Sequence, residues 1–409
     1  MNRRILILLS CLFVVMTGYG VTLSVLPFHI ERMAMAEGAA SKEASVHVGL
    51  ITGLFALMQF FFAPVWGKLS DRIGRRPVLM IGMIGFALAN VFFGLSPNLL
   101  MLYVSRFLGG SLSAAVLPVT AAFVADLTSA SQRGKGMAWM GSAAGLGVMV
   151  GPALGGWLAE VDFSREYQLW VFVLDAFSVP FFTAGGLALL ALAATIIWVR
   201  EPPDLQADRT GVSLMGMLSG WMARKSFRTL LYFSFLVQFA MALFEGTFAL
   251  HAKEVMGFGP ADMGLVLMVC GLVMAVAQGG AVSWFIDRLR DAQLVFTGFI
   301  LMGLALILLM IPRAMPFIVL LTAVFGFGMA LLIPILATMF SRYSNSSAGT
   351  VLGVQNAVNS LGQAMGPLAG GLLFTLSIHL PYLLTGLLLL GSTVLLMKEF
   401  GEKHHGGLP

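Results

Sequence analysis

The sequence contains little charge: only 11% of its 409 residues are Asp, Glu, Lys or Arg, whereas soluble domains carry about 25%. Its two cysteines, Cys11 and Cys270, fall within apolar runs, so we predict no disulfide. The six histidines show no convincing metal-ligand spacing, and no G-x-x-x-x-G-K-[ST] motif is present. We therefore predict no metal, no cofactor, no ATP-driven step, no nucleic-acid partner and no enzymatic activity.

Apolar residues instead make up 58% of the chain, and the mean hydropathy is +0.92. Runs long enough to cross a hydrocarbon core of about 30 Å, which takes about 20 helical residues, recur from end to end. The sequence therefore predicts a multi-pass, all-helical membrane protein. Twelve spans are predicted at residues 5–27, 48–66, 77–95, 99–124, 137–158, 180–199, 229–250, 263–285, 294–311, 316–340, 350–375 and 378–397.

The positive charges of the loops predict the orientation. If the N-terminus is cytoplasmic, 18 of the 24 Lys and Arg residues lie in inner segments and five in outer segments, while Arg106 falls within a span. This bias agrees with the positive-inside rule and puts both termini in the cytoplasm. The first apolar run is longer than that of a signal peptide, so we expect it to be retained as a helix. The predicted location is the bacterial cytoplasmic membrane.

The chain divides into two halves at a polar stretch. Residues 200–228 are charged and contain two prolines, which indicates a cytoplasmic linker between bundles at 1–199 and 229–409. Sequence repeats support this division, because GPALGG at 151–156 is echoed by GPLAGG at 366–371. A duplicated six-helix unit is typical of a transporter whose substrate site lies between the two halves.

The loop between spans two and three reads GKLSDRIGRR. Its arginines alone are explained by the positive-inside rule, but the complete pattern resembles the signature of the major facilitator superfamily. The matching residues are Gly67, Asp71, Arg72, Gly74, Arg75 and Arg76. The resemblance implies twelve transmembrane helices in two pseudo-symmetric six-helix bundles. It also implies a conformational latch, in which Asp126 pairs with the loop arginines and Asp71 docks on the start of span eleven, SSAGT at 346–350.

Span five contains GLGVMVGPALGG, which resembles a motif of proton-coupled exporters in the same superfamily. The matching residues are Gly147, Gly151, Pro152, Gly155 and Gly156. Small residues also permit close helix packing in any membrane protein, and the two interpretations are compatible. The resemblance implies that this helix packs on span eight, where Gly264 is one small partner.

Only two charged residues lie within the predicted spans, Arg106 and Glu245. Ionisable groups in the hydrocarbon are costly and usually face a cavity, although either side chain could instead reach the outer surface. Arg106, in RFLGG, resembles a span-four arginine that takes part in proton coupling. Glu245, in FEGTF, resembles an acid that many multidrug exporters place in span seven. These two residues are the candidates for proton coupling.

Polar residues within spans are candidates to line the cavity, namely Gln59, Gln238, Gln355 and Asn359. Over nearly its whole length the chain resembles twelve-span drug/proton antiporters, although Val15 stands where tetracycline exporters carry an acid. We therefore expect proton-driven export of amphipathic small molecules by a monomer, with the substrate, protons and membrane lipid as its partners. A lipid or glycolipid flippase is the alternative, and a nutrient symporter is a weaker one.

Overall fold

The computed structural model describes residues 3–129, 132–160, 167–169, 172–174, 176–201, 222–278, 284–285, 288–311, 314–341 and 348–397. Its main helices are α1 (Arg3–Leu23), α2 (Leu26–Ala36), α3 (Ser41–Ile73), α4 (Arg75–Gly94), α5 (Leu99–Ser113), α6 (Val116–Asp126), α7 (Arg133–Ala159), α8 (Val179–Trp198), α9 (Lys225–Met256), α10 (Pro260–Val276), α11 (Asp291–Leu308), α12 (Met315–Ser341), α13 (Ala348–Leu376) and α14 (Leu380–Leu396). Two short strands, β1 (Tyr167–Leu169) and β2 (Phe172–Leu174), form an antiparallel pair between α7 and α8.

Among the described residues, nine helical segments are long and apolar enough to cross a membrane, and α10 and α14 are shorter apolar helices. The predicted spans match the observed helices within a few residues in most cases. For example, the predicted span at 180–199 corresponds to α8 and the one at 77–95 corresponds to α4. Length and hydropathy therefore account for most of the secondary structure.

Two predicted spans are interrupted in the structure. Predicted span four is divided into α5 and α6 at Ala114 and Ala115, and predicted span one ends at Leu23, before α2 begins. Proline explains both breaks, because it has no N–H to donate to the carbonyl four residues earlier. Pro118 lies four residues after Ala114, and Pro27 lies four residues after Leu23. Helix α2 then extends into the segment that the sequence assigns to an outer loop.

The helices group into two compact units. The first contains residues 1–209 together with 245–268. Within it, α1 packs on α7 and α8, and α4 packs on α5 and α8. Its core contains fully buried apolar side chains such as Val119, Phe123 and Ala184. Burying such side chains is what fixes the mutual arrangement of these helices.

Residues 245–268, from the C-terminal part of α9 and the start of α10, belong to this first unit because they bond to it directly. The Lys253 ammonium lies 2.6 Å from the buried Glu31 carboxylate of α2. Next to it, the Ser41 hydroxyl donates to Glu254 at 3.0 Å. The predicted division at 199 and 229 follows covalent order, and the observed grouping follows contacts of this kind.

The second unit contains residues 210–244 and 269–409. Within it, α11 packs on α12 and α14, and α13 contacts α12 and α14. Glycines allow α11 to approach both neighbours: a Cβ atom at Gly298 would lie 3.1 Å from the Gly328 carbonyl oxygen of α12, and one at Gly303 would lie 3.0 Å from that of Gly386 in α14. The close contacts of this unit therefore depend on residues without side chains.

Candidate functional site

Arg75, the first residue of α4, is the centre of a group of charged and polar side chains that we call the Arg75 cluster. Its side chain is only 10% exposed and forms an ion pair with Asp71, one turn earlier. Its Nε lies 3.0 Å from the Asp126 carboxylate at the end of α6, and its Nη1 donates to the Ser70 hydroxyl at 2.7 Å. One guanidinium thus joins the ends of three helices.

Glu201, which lies just after α8, completes the Arg75 cluster. Its carboxylate accepts hydrogen bonds from the backbone N–H groups of Arg75 at 2.5 Å and of Arg76 at 2.9 Å. These are the first N–H groups of α4 and have no partner within the helix. The negative charge also lies at the positive end of the helix dipole. Glu201 therefore caps α4 and joins it to α8.

Gly74 makes this approach possible. It has φ +105°, a conformation that favours glycine, and a Cβ atom there would lie 3.1 Å from the Glu201 carboxyl group. Gly67, by contrast, lies inside α3, and a Cβ atom there would have no neighbour within 4 Å among the described residues. Gly74 therefore has a conformational role in the described part of the chain, and Gly67 shows none there.

The remaining loop residues are more exposed. Arg72 is exposed, and the Arg76 guanidinium donates to the Ile196 carbonyl of α8 at 2.6 Å. The Asp71 side chain is 46% exposed. Its expected docking partner, the segment 346–350, begins outside the described residues, so this part of the latch remains a prediction.

The glycines of the span-five motif face α1. Cβ atoms at Gly147 and Gly151 would lie 2.6 and 2.5 Å from the carbonyl oxygens of Phe13 and Thr17, respectively. Gly155 makes a still closer approach to the Val21 carbonyl. Because the three glycines are spaced by four residues, they form one stripe along α7. That stripe lets the two backbones touch, as small residues do in membrane helices.

A second face of the same motif contacts α10. A Cβ atom at Gly156 would lie 2.6 Å from the Pro260 carbonyl oxygen, and one at Gly264 would lie 2.5 Å from that of Pro152. This is the contact with span eight that the family resemblance implies. The motif therefore packs α7 both on α1 and on the start of α10, which belong to the first unit.

Arg106 points into the bundle and is 8% exposed, which excludes the alternative that its side chain reaches the outer surface. Its guanidinium lies over the Phe93 ring, 4.4 Å from the centroid, and 5.4 Å from that of Phe55. Such cation–π contacts stabilise a desolvated cation. Within the described part of the chain, its Nε and Nη2 atoms have no hydrogen-bond acceptor. Arg106 is thus a buried charge held by aromatic faces.

Glu245 belongs to the same unit and lies half-buried on α9. Tyr19 of α1 is within electrostatic range of both Glu245 and Arg106. Its ring stacks on Phe55, with centroids 6.1 Å apart. Tyr19 and Arg106 thus share the Phe55 ring, and these three residues, together with Glu245 of the same unit, are called the Tyr19 cluster.

The polar candidates of the second half lie on α9 and α13. The Gln355 amide, which is buried, donates to the Ser234 hydroxyl at 3.2 Å. Asn359, one turn later, has an Oδ1 atom without a partner among the described residues. A Cβ atom at Gly362 would lie 3.2 Å from the Gln238 Cβ. Gln59, in contrast, is a half-buried residue of α3 in the first unit.

Sequence reasoning missed two members of these clusters. Glu201 lies 126 residues from Arg75 in the chain. Its local signal is weak, because it is simply a carboxylate two residues after a predicted span. Tyr19 gives no signal beyond being a polar-tipped residue in an apolar helix. Both assignments require the tertiary arrangement.

Comparisons with known proteins agree with this architecture. The family profile described as Major Facilitator Superfamily matches residues 8–315 and 235–406. Multidrug resistance protein 1 of Bacillus subtilis (strain 168) is 29% identical over 385 residues, covering 93% of this chain and 92% of the relative. Quinolone resistance protein NorA of Staphylococcus aureus (strain COL) is 26% identical, covering 98% and 97%.

Among solved structures, a bacterial homologue of the human lysosomal transporter Spinster, in an inward-facing and occupied conformation, superimposes with a TM-score of 0.82. It covers all of both chains at 14% identity, so this match concerns the fold alone. The twelve predicted spans, the repeated helix unit and these matches lead to one conclusion. The chain belongs to the Major Facilitator Superfamily and is a multi-pass membrane transporter, not an enzyme.

Proposed function

We propose that the protein exports amphipathic, cationic or neutral small molecules in exchange for protons, by alternating access. The observation that carries this proposal is that the two ionisable residues of the predicted spans, Arg106 and Glu245, belong to one unit, with Arg106 buried against the rings of Phe55 and Phe93. Charged residues at that depth are costly and usually serve transport. The multidrug and quinolone resistance proteins among the relatives support a drug-like substrate.

Glu245 is the proposed proton carrier. Its carboxyl group takes a proton from the outer side and releases it inward, and a cationic substrate competes with the proton for the carboxylate. Arg106 supplies a fixed positive charge in the same unit. Gln59, Gln238, Gln355 and Asn359 are proposed to line the path of the substrate.

The Arg75 cluster is the proposed latch. Its ion pairs join α3, α4 and α6 at one membrane surface, and Asp71 is the member with the most exposed carboxylate. Docking of Asp71 on the start of α13 would favour one of the two alternating states, since a carboxylate is stabilised at a helix N-terminus. The glycines of α7 would keep that helix in close contact while the bundles move.

The wider organisation is part of the same proposal. Residues 1–199 and 229–409 form the two moving bundles, and 200–228 connects them in the cytoplasm. The protein acts as a monomer in the bacterial cytoplasmic membrane, with both termini inside. Duplicated halves around a central site are the usual basis of alternating access.

Transport by purified protein in liposomes tests the proposal. An imposed pH gradient should drive accumulation of a lipophilic cation such as ethidium. Glu245→Gln keeps the shape of the side chain and removes its titration, so it should abolish pH-driven accumulation while sparing downhill movement of neutral compounds. Glu254→Gln is the matched control, because Glu254 is an exposed acid at the end of the same helix.

Two outcomes would contradict the proposal. If the Glu245→Gln protein still accumulates ethidium at the wild-type proton cost, Glu245 is not the proton carrier. If the wild-type protein moves labelled phospholipids or glycolipids and no drug in the panel, the flippase alternative replaces drug export.

A further inference from the structure

An open groove of about 650 Å³ lies in the first unit, beside the Arg75 cluster. Its charged lining residues are Arg72, at the end of α3, Arg76, at the start of α4, and Glu201. The rest of its wall is apolar and is formed by Ile73, Pro77, Met80, Ile81 and Ile84. The groove is therefore amphipathic, with charge where the two helices meet and an apolar wall along α4.

The apolar wall is one face of α4. Pro77, Ile81 and Ile84 follow each other at intervals of four and three residues, so their side chains lie above one another on the helix. Pro77 is exposed, and Ile84 is 40% exposed. From Pro77 to Ile84 the helix rises by about 10 Å, which is a third of a hydrocarbon core of about 30 Å. This face is suited to the first part of an acyl chain.

The two arginines supply a positive charge at the other end of the groove. Arg72 is exposed, and its neighbour Asp71 is paired with Arg75, so the described part of the chain gives Arg72 no ion pair. Arg76 is fixed in place, because its Nη2 donates to the Ile196 carbonyl of α8 at 2.6 Å. That carbonyl lies in the last turn of α8, where backbone acceptors have no partner within the helix.

Glu201 borders the same groove, but its carboxylate is already engaged. One oxygen accepts the backbone N–H of Arg75 at 2.5 Å, and the other accepts that of Arg76 at 2.9 Å. The charge of Glu201 thus lies at the positive end of the α4 dipole. Two guanidinium groups and one engaged carboxylate leave the lining of the groove with a net positive charge.

We propose that this groove binds one anionic phospholipid, with its phosphodiester on Arg72 and Arg76 and an acyl chain along α4. A planar guanidinium donates two parallel hydrogen bonds to phosphate oxygens. Basic pockets at the cytoplasmic ends of membrane helices recognise anionic headgroups in this way, and the sequence predicts that this end of α4 is cytoplasmic. A zwitterionic lipid gains less, because it carries its own cation beside the phosphate.

This site goes beyond the proposed export of drugs, because the lipid is a bound component and is not transported. It also does not depend on the identity of the substrate. Its binding can be measured without a pH gradient, so failure of the lipid site and failure of proton-driven export are separate results.

The second unit contains a groove without charge that serves as an internal comparison. It has a volume of about 550 Å³ and is lined by residues of α9 and α14, among them Tyr232, Leu387 and Ser392. Its lining residues are all uncharged, and the Tyr232 and Ser392 hydroxyls hydrogen-bond to each other at 3.1 Å. A lipid in this groove should show no preference for an anionic headgroup.

The test is native mass spectrometry of the delipidated protein, titrated with phosphatidylglycerol or with phosphatidylcholine of the same acyl chains. The wild-type protein should retain one phosphatidylglycerol more tightly than phosphatidylcholine. Arg72→Gln should weaken phosphatidylglycerol binding about fivefold and leave phosphatidylcholine binding unchanged. Arg76→Gln should act in the same direction, but it also releases the end of α8, so Arg72→Gln is the decisive variant. Lys135→Gln is the matched control, because Lys135 is an exposed cation at the start of α7 in the same unit.

The apolar part of the site has its own test. Ile84→Trp fills the groove along α4 and should reduce the preference for phosphatidylglycerol. Leu387→Trp fills the uncharged groove of the second unit and should leave that preference at its wild-type value.

Four results would overturn the proposal. The first is equal retention of the two lipids by the wild-type protein, and the second is an undiminished preference in Arg72→Gln. The third is an equal loss in Lys135→Gln, which would reflect the general charge of the surface. The fourth is displacement of phosphatidylglycerol by excess inorganic phosphate, which would identify a site for free anions. Movement of phosphatidylglycerol between the leaflets of liposomes would make the lipid a substrate and would also contradict the assignment.

Discussion

In the first half of the chain α7 approaches α1 through glycines that face carbonyl oxygens, and in the second half α13 approaches α9 in the same way. Cβ atoms at Gly362 and Gly366 would lie 2.6 and 2.5 Å from the carbonyl oxygens of Phe235 and Phe239. These distances equal those from Gly147 and Gly151 of α7 to the carbonyl oxygens of α1. The backbone contacts of the two halves are therefore copies of each other.

The chemistry around these contacts is not copied. Gly110 and Gly326 are a corresponding pair, each close to a carbonyl oxygen, that of Phe55 or of Cys270. Four residues before Gly110 is Arg106, whereas four residues before Gly326 is Thr322, a buried hydroxyl that donates to the Ile318 carbonyl of its own helix at 2.9 Å. Duplication thus preserved the scaffold, while this position carries a buried arginine in the first half and a buried hydroxyl in the second.

The largest effect should come from filling the shared backbone contacts. Gly151→Leu would force α7 away from α1, and Gly366→Leu would force α13 away from α9, because the neighbouring atoms are backbone and cannot rotate aside. We expect each to lower the free energy of unfolding by about 3 kcal/mol or more, at the upper end of overpacking costs. Thermal unfolding in detergent and liposome transport measure the two effects.

Matched controls are available on the same helices. Within the part of the chain that the structure describes, Gly145 of α7 and Gly353 of α13 have no neighbouring atoms within 4 Å of a Cβ position. Gly145→Leu and Gly353→Leu should therefore unfold near the wild-type temperature. If Gly151→Leu and Gly366→Leu differ strongly from each other, the two contacts are not equivalent, and the comparison between the halves fails.

The next effect comes from the Arg75 cluster, which belongs to the first half. Arg75→Gln removes a guanidinium that serves Asp71, Asp126 and Ser70, and leaves two carboxylates close together. Removing one partner of a buried ion pair costs about 3 to 5 kcal/mol, and we expect about 1 to 3 kcal/mol here because Asp126 is 26% exposed. The measurement is thermal unfolding at neutral pH and again at low ionic strength.

Arg72→Gln is the control for this variant, since Arg72 is an exposed arginine of the same loop. It removes the same formal charge, so a general effect of loop charge would appear in both variants. Equal stabilities of the two would show that the Arg75 cluster contributes nothing beyond the net charge of the loop.

Local features of the fold could be predicted from the sequence, whereas contacts between helices could not. Apolar runs and prolines can be recognised in short stretches of sequence, so most helix ends were predictable within a few residues. The breaks at Pro27 and Pro118 likewise have a cause that is visible in the sequence. The glycine stripe of α7 was also visible in the sequence as a candidate packing face. Its partner α1 was not predicted, because a stripe of small residues does not indicate which helix it contacts.

Arg106 and Glu245 could be found by their charge alone, as exceptions within apolar spans. Tyr19 could not, because its contact with Phe55 of α3, the ring that also lies under Arg106 of α5, is defined only by the tertiary fold. Glu201 was missed for the same reason. Charge in an unexpected place is a local signal, whereas a hydrogen-bond partner is defined by the tertiary fold.

The smallest effect should come from Glu201→Gln, in the first half of the chain. Glutamine keeps one acceptor oxygen for the N–H groups of Arg75 and Arg76 but loses the negative charge at the start of α4. A charge in the first turn is worth about 0.3 to 1 kcal/mol, so the unfolding temperature should fall slightly and the difference should shrink in high salt. Glu160→Gln, at the exposed C-terminal end of α7, is the control and should not destabilise the protein. A drop as large as that of Arg75→Gln would mean that Glu201 holds α8 against α4 through more than the helix dipole.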